Sequence, residues 1–408
     1  MPLKATLQPA DATDHVHLGI LPSPFHSRTS RLNRNQLWGE WNGYASATYY
    51  ADSHLEYFST RNTCGVFDVS PMRKYRFSGT DAAAMLNRMV TRDVLAQAID
   101  TVAYNVWCTD DGKVVDDGTI FRFSEDEFML CCADPCFDWF CLSAVGFDAV
   151  DITDISADVA ALSLQGPTSC ALLKAMGFSG IEQCKPFQIM RFPFGSGDIM
   201  ISRTGYTGDL GYELWLAPED AELLWDQLFD RGKIYGIQPM GDESLEMARI
   251  EAGFLAPDVD FHGSLHTVEL NHDHSPLELG LGWILNFKKP FFSGRAALLA
   301  QKESGNYRRL LKLDIEGNKP ADNSILYADK KCAKEIGYVT SAMWSPVVKA
   351  NIGYGLVEAK YFEGPIWAEI YHQKELHWQR RVARCTRCLL YTSPSPRDIE
   401  VHLVCRLL

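Results

Sequence analysis

Long apolar runs are missing from this 408-residue sequence. No apolar core of the signal-peptide type precedes Phe25, and the most apolar stretch, residues 128–147, is interrupted by Asp134 and Asp138. A membrane-spanning helix needs about 20 consecutive, predominantly apolar residues. We therefore expect no membrane partner, and the missing signal core predicts an unexported, soluble, cytoplasmic protein.

Basic clusters are scarce as well. The chain has 39 Lys and Arg residues against 52 Asp and Glu residues, a net charge of −13 and a pI near 5.3. It contains no lysine or arginine block longer than a few residues. Because a chain of this charge repels phosphate backbones, we expect no nucleic-acid partner.

Twelve cysteines are present, scattered through a long chain. Cys131 and Cys132 lie in a strand-like run, where thiols behave as small core hydrophobes. We expect free thiols in a reducing compartment rather than a disulfide framework.

The hydrophobic pattern mixes strands and helices without a strict β-α-β rhythm, which predicts an α+β core. Strands are predicted at 74–78, 119–123 and 128–133, and helices from about 80 to 90, 167 to 175 and 242 to 252. After about residue 295 the chain shows only short strand-like runs, at 310–315, 336–340, 352–357 and 365–371. Their spacing predicts a small antiparallel barrel or sandwich.

The glycine-rich run 202–215 is the most informative stretch of the sequence. Gly205, Gly208 and Gly211 permit positive φ and close backbone approach, so we expect a tight turn from which a strand departs. Glu213 then sits at a strand edge. Its carboxylate matches a ligand edge with two adjacent N–H groups, such as that of a pterin. The alternative is a hairpin whose glutamate faces water.

Seven further segments accompany this turn and resemble landmarks of one family, in that family's order: residues 64–72, 90–94, 112–117, 164–167, 248–253, 276–283 and 345–346. The sequence resembles the aminomethyltransferases, the T proteins of the glycine cleavage system, over about residues 45–385. Ordered landmarks are far more specific than one glycine turn. The resemblance implies a folate-binding core with a central hole in residues 1–290, a C-terminal β-barrel in residues 295–385, and tetrahydrofolate as cofactor.

The resemblance also implies roles for individual residues. Asp93 matches the family's essential aspartate, close to the reacting nitrogens of the folate, where negative charge stabilises a protonated amine. Tyr206 matches the tyrosine of the glycine turn, and its ring covers the pterin, forms a wall of the reaction centre or, as the structural alternative, caps a core. Arg249 matches a family arginine that binds a carboxylate of the folate tail or pairs with Glu246. We expect only a structural role for the pair Asp116 and Asp117.

The one-carbon donor is left open by these residues. Tyr206, Thr207 and Gly208 favour amine chemistry, with an aminomethyl or N-methyl donor and possible use of a lipoyl carrier protein. Two alternatives stand: a dimethylsulfoniopropionate or methylamine/betaine demethylase of the same fold, and a folate-binding protein without catalysis. The dinucleotide motif of the flavin-dependent relatives is missing, so flavin is not expected.

Four histidines lie within thirteen residues and suggest a metal site as the competing hypothesis: His262, His266, His272 and His274. Two metal-binding rings at His262 and His266 would need a helix to bring them to one face. Gly263 and the flanking Pro257 and Pro276 instead predict a loop. We therefore predict no metal at these histidines and expect them to face a substrate entrance.

The strand pattern breaks from about Thr386 onward, and the continuation expected of the family is absent. We interpret residues 386–408 as a non-native tail, translated from adapter sequence, that replaces the natural C-terminus. The Cys385 and Cys388 pair is then no redox or zinc motif.

Overall fold

The computed structural model describes residues 20–267 and 272–387. The α-helices are α1 (His26–Leu32), α2 (Ser53–Asn62), α3 (Ala82–Met89), α4 (Phe137–Ser143), α5 (Ser169–Ala175), α6 (Ala221–Gly232), α7 (Asp242–Ala252) and α8 (Arg295–Ser304). The strands are β1 (Trp38–Trp41), β2 (Tyr44–Ala47), β3 (Cys64–Asp68), β4 (Arg73–Ser78), β5 (Thr101–Cys108), β6 (Val114–Arg122), β7 (Glu127–Cys132), β8 (Asp151–Asp154), β9 (Ala160–Gln165), β10 (Ile189–Phe194), β11 (Gly197–Ser202), β12 (Gly211–Leu216), β13 (Ile237–Pro239), β14 (Arg309–Ile315), β15 (Ile325–Tyr327), β16 (Glu335–Ser345), β17 (Ala350–Val357), β18 (Ile366–Lys374) and β19 (His377–Arg387).

Two large sheets and the small two-stranded sheet β1-β2 form the first part of the chain. One has the strand order β10-β11-β12-β9-β3-β13, and the other has the order β5-β6-β7-β4-β8. Because successive side chains on a strand point to opposite faces, each sheet has an inner face and an outer face. The inner faces share one apolar cluster, which includes Phe67 and Trp215 from the first sheet and Phe121, Met129 and Cys131 from the second.

Helices cover the outer faces of both sheets. Helices α5 and α6 pack Leu172 and Leu224 against the six-stranded sheet, whereas α3 and α4 pack Met85 and Phe140 against the five-stranded sheet. The predicted α+β core is confirmed. Helix α7 spans the predicted residues, and it ends at Gly253, which adopts a φ of 87°.

The C-terminal strands close into a six-stranded barrel with the order β14-β17-β16-β15-β18-β19. Of the two predicted architectures, the barrel is confirmed and the sandwich is not found. Two of its strands, β15 and β19, were not predicted. Strand β15 has only three residues, and β19 carries arginines at 380, 381, 384 and 387, which obscure the alternation.

Strand β19 continues to Arg387, past the residue at which we expected the native pattern to stop. The remainder of the predicted tail, residues 388–408, lies outside the described residues. None of the described helices has the length and apolar character required to cross a membrane.

Candidate active site

Glu213 lies on β12, in the interior of the six-stranded sheet. Its register partners are Ser202 on β11 and Ser163 on β9, so the predicted strand-edge position is wrong. Glu213 shares its strand face with Trp215, which packs edge-on against Phe121 with ring centroids 5.2 Å apart. The carboxylate therefore points into the space between the two sheets rather than into bulk water.

Hydroxyl groups surround this carboxylate. Thr204 donates a hydrogen bond to Glu213, the hydroxyls of Ser202 and Thr204 lie 2.7 Å apart, and Trp215 Nε1 donates to Ser202 at 3.2 Å. Burial raises the pKa of Glu213, and the hydrogen bonds from Thr204 and Ser202 oppose that rise. The site therefore presents a half-buried acceptor that is held by hydroxyl groups.

The glycine turn is held by Gln165, a fully buried side chain on β9. A Cβ atom on Gly205 or Gly211 would lie about 2 Å from Gln165 Oε1. Both positions thus need glycine because of close packing. Of the two properties that we expected glycine to permit in this turn, close approach applies at Gly205 and Gly211, and positive φ occurs at Gly208, with a φ of 78°.

Tyr206 is half-buried and stacks on Phe254, with ring centroids 5.5 Å apart and an interplanar angle of 14°. Its hydroxyl donates to the carbonyl of Leu255. The ring is thereby attached to the segment that follows α7, and the turn that carries Tyr206 contacts the loop leading to the histidines.

Tyr104 connects this ring with the region around Asp93. It stacks on Trp283 at 6.3 Å, and Trp283 in turn lies under the guanidinium of Arg92 at 5.9 Å. The Tyr104 hydroxyl donates to Asp117. Burial raises the pKa of Tyr104 well above its usual range, and the nearby Asp117 and Tyr206 add to that rise.

Asp93 lies on the loop after α3 and is half-buried. One of its carboxylate oxygens accepts a hydrogen bond from the backbone N–H of Leu95 at 3.1 Å, so the side chain also fixes the local turn. Asp93 directly follows Arg92 in the chain, and the Arg92 side chain belongs to the row formed with Trp283 and Tyr104.

Lys289 holds the Asp93 loop from almost 200 residues away in the chain. Its ammonium donates to the backbone carbonyls of Asn87, Val90 and Arg92 at 2.5 to 2.7 Å, and its side chain is 4% exposed. Burial lowers the pKa of Lys289 to about 8, while Asp93 acts in the opposite direction. A lysine at the end of a helix suits the helix dipole.

Arg249 is fully buried and uses its five N–H donors within the protein. The acceptors are Glu246, which takes two, the carbonyl of Phe254, Asp260 and Ser341. Of the two roles left open by the sequence, the structure shows pairing with Glu246, and no donor remains for a folate carboxylate. Arg249 instead joins α7 to the barrel strand β16.

Residues 28–289 match the family model described as the GCVT N-terminal domain, and residues 308–381 match that of the glycine cleavage T-protein C-terminal barrel domain. This chain belongs to the glycine cleavage T-protein family. It is 33% identical over 325 residues to an aminomethyltransferase from Caldanaerobacter subterraneus subsp. tengcongensis, an alignment covering 78% of this chain and 83% of the relative. An aminomethyltransferase from Alkaliphilus metalliredigens is 32% identical over 332 residues, covering 79% and 86% respectively.

Among solved structures, the fold is similar to that of the glycine cleavage system aminomethyltransferase T from Bartonella henselae. The TM-score is 0.79 at 22% identity, and the superposition covers 92% of this chain and 98% of that one. The family membership identifies this protein as an enzyme, a one-carbon transferase of the T-protein type.

A network of ion pairs and hydrogen bonds around Arg61 supports the T-protein glycine turn. The sequence did not predict this network. Arg61 on α2 donates to the carbonyl of Thr207 at 2.7 Å and pairs with Asp209 and with Glu251 on α7. Tyr57 and Ser345 also donate to Glu251. Nothing in the spacing of these residues signals their contact, because they come from four separate elements.

The four histidines, all within the described residues, form no common ligand cluster in this T-protein family member. His262 is exposed beside Asp258, whereas His274 is buried and bonded to the Tyr338 hydroxyl at 3.0 Å. His272 stacks on the same tyrosine ring at 5.5 Å. His274 therefore faces the barrel rather than a substrate entrance, and burial lowers its pKa to about 3.

Proposed function

We propose that this enzyme transfers a one-carbon unit from an amine donor to tetrahydrofolate. The observation that carries the proposal is the setting of Glu213: a carboxylate on an interior strand, directed between two sheets and held by hydroxyls. A pterin offers adjacent N–H groups that such a carboxylate accepts in pairs. Flat rings at Tyr206, Phe254 and Trp283 provide the apolar walls that a planar ligand requires.

In this proposal the two carboxylates have different tasks. Glu213 holds and orients the pterin edge, and Tyr206 forms a wall beside it. Asp93 lies near the reacting nitrogen, where its negative charge stabilises positive charge that develops on the amine. Tetrahydrofolate supplies, when bound, the nucleophilic nitrogens that accept the one-carbon unit. We assign Arg249 a supporting role, because its donors are used within the protein.

The proposed donor is an aminomethyl group carried on a lipoyl protein, in keeping with the aminomethyltransferase relatives. Dimethylglycine, sarcosine, glycine betaine and dimethylsulfoniopropionate are the competing donors of the demethylase alternative. We place the reaction in the cytoplasm. The ten cysteines of the described residues are all free thiols, which suits a reducing compartment.

The test mixes purified protein with tetrahydrofolate and each donor in turn, with the Asp93→Asn variant as the inactive control. We expect 5,10-methylene-tetrahydrofolate from the aminomethylated lipoyl protein. Formation of 5-methyl-tetrahydrofolate from a methylated donor would instead establish a demethylase. Folate binding without product from any donor would support the non-catalytic alternative, and absence of folate binding would overturn the site itself.

A further inference from the structure

A second cluster of chemically active side chains lies on the other side of the five-stranded sheet. Strand alternation turns Asp117 and Cys131 toward the inner face, and Asp116 and Cys132 toward the outer face beneath α4. Cys136, immediately before α4, joins Asp116 and Cys132 there. This cluster is separate from the proposed folate site and from its catalytic carboxylates.

The three potential ligand atoms are close together and shielded from water. Asp116 Oδ2 and the sulfur atoms of Cys132 and Cys136 all lie within 4.8 Å of one another. The three residues are 1%, 1% and 5% exposed. Cys136 Sγ lies 3.7 Å from Asp116 Oδ2, and Cys132 Sγ lies 3.2 Å from the carbonyl oxygen of Asp134. Asp134 thus offers a fourth ligand through its backbone.

The charge balance of the cluster calls for a cation. Asp116 Oδ1 accepts the N–H of Asp117 at 2.7 Å, whereas the one donor to Oδ2 among the described residues is the weak thiol of Cys136. No ion pair to Asp116 is found within residues 20–267 and 272–387, whereas Asp117 and Asp134 act on it as like charges. A carboxylate buried in this way is costly unless it is protonated or neutralised by a positive ion.

The donor set indicates which ion would fit. Two sulfur ligands select thiophilic metals, and a carboxylate with a carbonyl completes the four positions that zinc occupies in tetrahedral sites. With zinc–sulfur bonds of about 2.3 Å and zinc–oxygen bonds of about 2.0 to 2.2 Å, the sulfur–oxygen edge of a tetrahedron is about 3.5 Å. The observed edges of 3.7 and 3.2 Å bracket that length.

We propose that Asp116, Cys132, Cys136 and the carbonyl of Asp134 bind one zinc-type divalent cation. Binding releases the thiol protons, and any carboxyl proton, to solvent, with no change of oxidation state. The ion links β6 and β7 to the start of α4. The ion also neutralises Asp116. The next residue, Asp117, accepts the hydrogen bond from Tyr104, which stacks on Trp283 in the proposed folate site.

Cobalt(II) tests the proposal directly, because cobalt–thiolate bonds give a near-ultraviolet charge-transfer band that carboxylate or histidine ligands do not give. Full-length protein treated with a chelator under reducing conditions is titrated with cobalt(II) and then displaced with zinc(II). We expect one equivalent of cobalt, the charge-transfer band, and its loss on addition of zinc. Wild-type protein that shows no band and no stoichiometric metal by elemental analysis would overturn the proposal.

The matched control is the neighbouring Cys131, which is equally buried but faces the inner cluster. We expect Cys136→Ser and Asp116→Asn to weaken cobalt binding by at least roughly tenfold, since changes to second-shell groups alone cost about 10 to 100-fold. Cys131→Ser should leave the titration unchanged. An equal loss in all three variants, or a metal-free Cys132–Cys136 disulfide as the only species found by mass spectrometry, would refute the site.

If the Cys136→Ser variant does not fold, a second experiment tests the site. It measures the thermal unfolding of the wild-type protein with and without zinc. Binding to the folded state alone raises the melting temperature with zinc concentration. We expect that rise in wild type and Cys131→Ser but not in Asp116→Asn. Unfolding of the wild type that is independent of zinc counts against the proposal.

Discussion

Glu213 and Asp93 are the two carboxylates of the proposed site, and different kinds of structural element carry them, a strand and a loop. Glu213 lies on an interior strand between β9 and β11, and its side chain accepts a hydrogen bond from a hydroxyl nine residues away in the chain. Asp93 lies on a loop whose carbonyls are held by Lys289, from a segment that is remote in sequence. The first position is supported by a hydrogen-bonded sheet, and the second by cationic side chains that bind the loop carbonyls, Lys289 before Asp93 and Arg122 after it.

This difference suggests how the site divides its work. A strand in the interior of a sheet cannot move without breaking both ladders, so it suits a group that must recognise one face of a ligand. A loop tolerates adjustment as the donor enters, which suits the group nearest the reaction. Each of the following variants tests one side of that contrast.

Asp93→Asn should have the largest effect. Loss of a charge that is needed only as positive charge develops lowers kcat, and we expect a fall of about a hundredfold to a thousandfold with an unchanged melting temperature. Steady-state kinetics and thermal unfolding provide the two measurements. Asp110→Asn, on an exposed turn, is the control. Wild-type turnover in Asp93→Asn would remove this residue from the mechanism.

Lys289→Met tests whether the loop depends on its remote support. Three carbonyls lose their donor, and a small displacement of Asp93 lowers kcat by roughly tenfold to a hundredfold while the Kd for folate changes little. Lys288→Met removes the same charge from the adjacent exposed position and should behave as wild type. If Lys289 acts through Asp93, its replacement costs nothing further in an Asp93→Asn background; additive losses would contradict that relation.

Glu213→Ala tests the role of the carboxylate that lies on the interior strand β12. An unpaired polar edge of the pterin then faces the protein, which costs about 1 to 3 kcal/mol of folate binding free energy. Isothermal titration with tetrahydrofolate measures the change, and Glu219→Ala, exposed beyond the same strand, is the control. Undiminished affinity would show that Glu213 does not contact the ligand.

Glu213→Gln should have the smallest effect of the four variants, a slight increase in the free energy of unfolding. The folded-state pKa of Glu213 is raised above its unfolded value, so the folded protein binds the proton more tightly, and stability falls as pH rises through that window. At neutral pH the ligand-free variant should therefore be slightly more stable than wild type, and the difference should vanish below about pH 4.3, the ordinary glutamate pKa. Denaturant melts across this pH range measure it; a pH-independent difference would refute the argument.

Local patterns predicted much of the fold. The periodicity of apolar residues predicted the bounds of α7, and the spaced strand-like runs after residue 295 predicted a barrel or a sandwich, of which the structure has the barrel. Strand β19 escaped detection because its arginines fall on both faces, at 380 and 384 and at 381 and 387, and β15 because three residues carry no period. The order of the strands within each sheet was not accessible in this way.

The candidate site was predicted less evenly. Asp93, Tyr206 and Glu213 were selected by motif resemblance, and their roles remain predictions. Arg249 was selected too, but its partners Asp260 and Ser341 lie 11 and 92 residues further along the chain. Only their arrival around one guanidinium decides that it supports the fold instead of a ligand.

The sequence alone determined the glycine turn, the helix periods and the series of short C-terminal strands, because turn chemistry and side-chain alternation act between residues close in the chain. The tertiary structure decided that Glu213 is interior, that Gln165 rather than φ requires glycine at 205 and 211, and that Lys289 supports the Asp93 loop. Those contacts join distant segments. Their free energy comes from burial and complete hydrogen bonding, which no local pattern records.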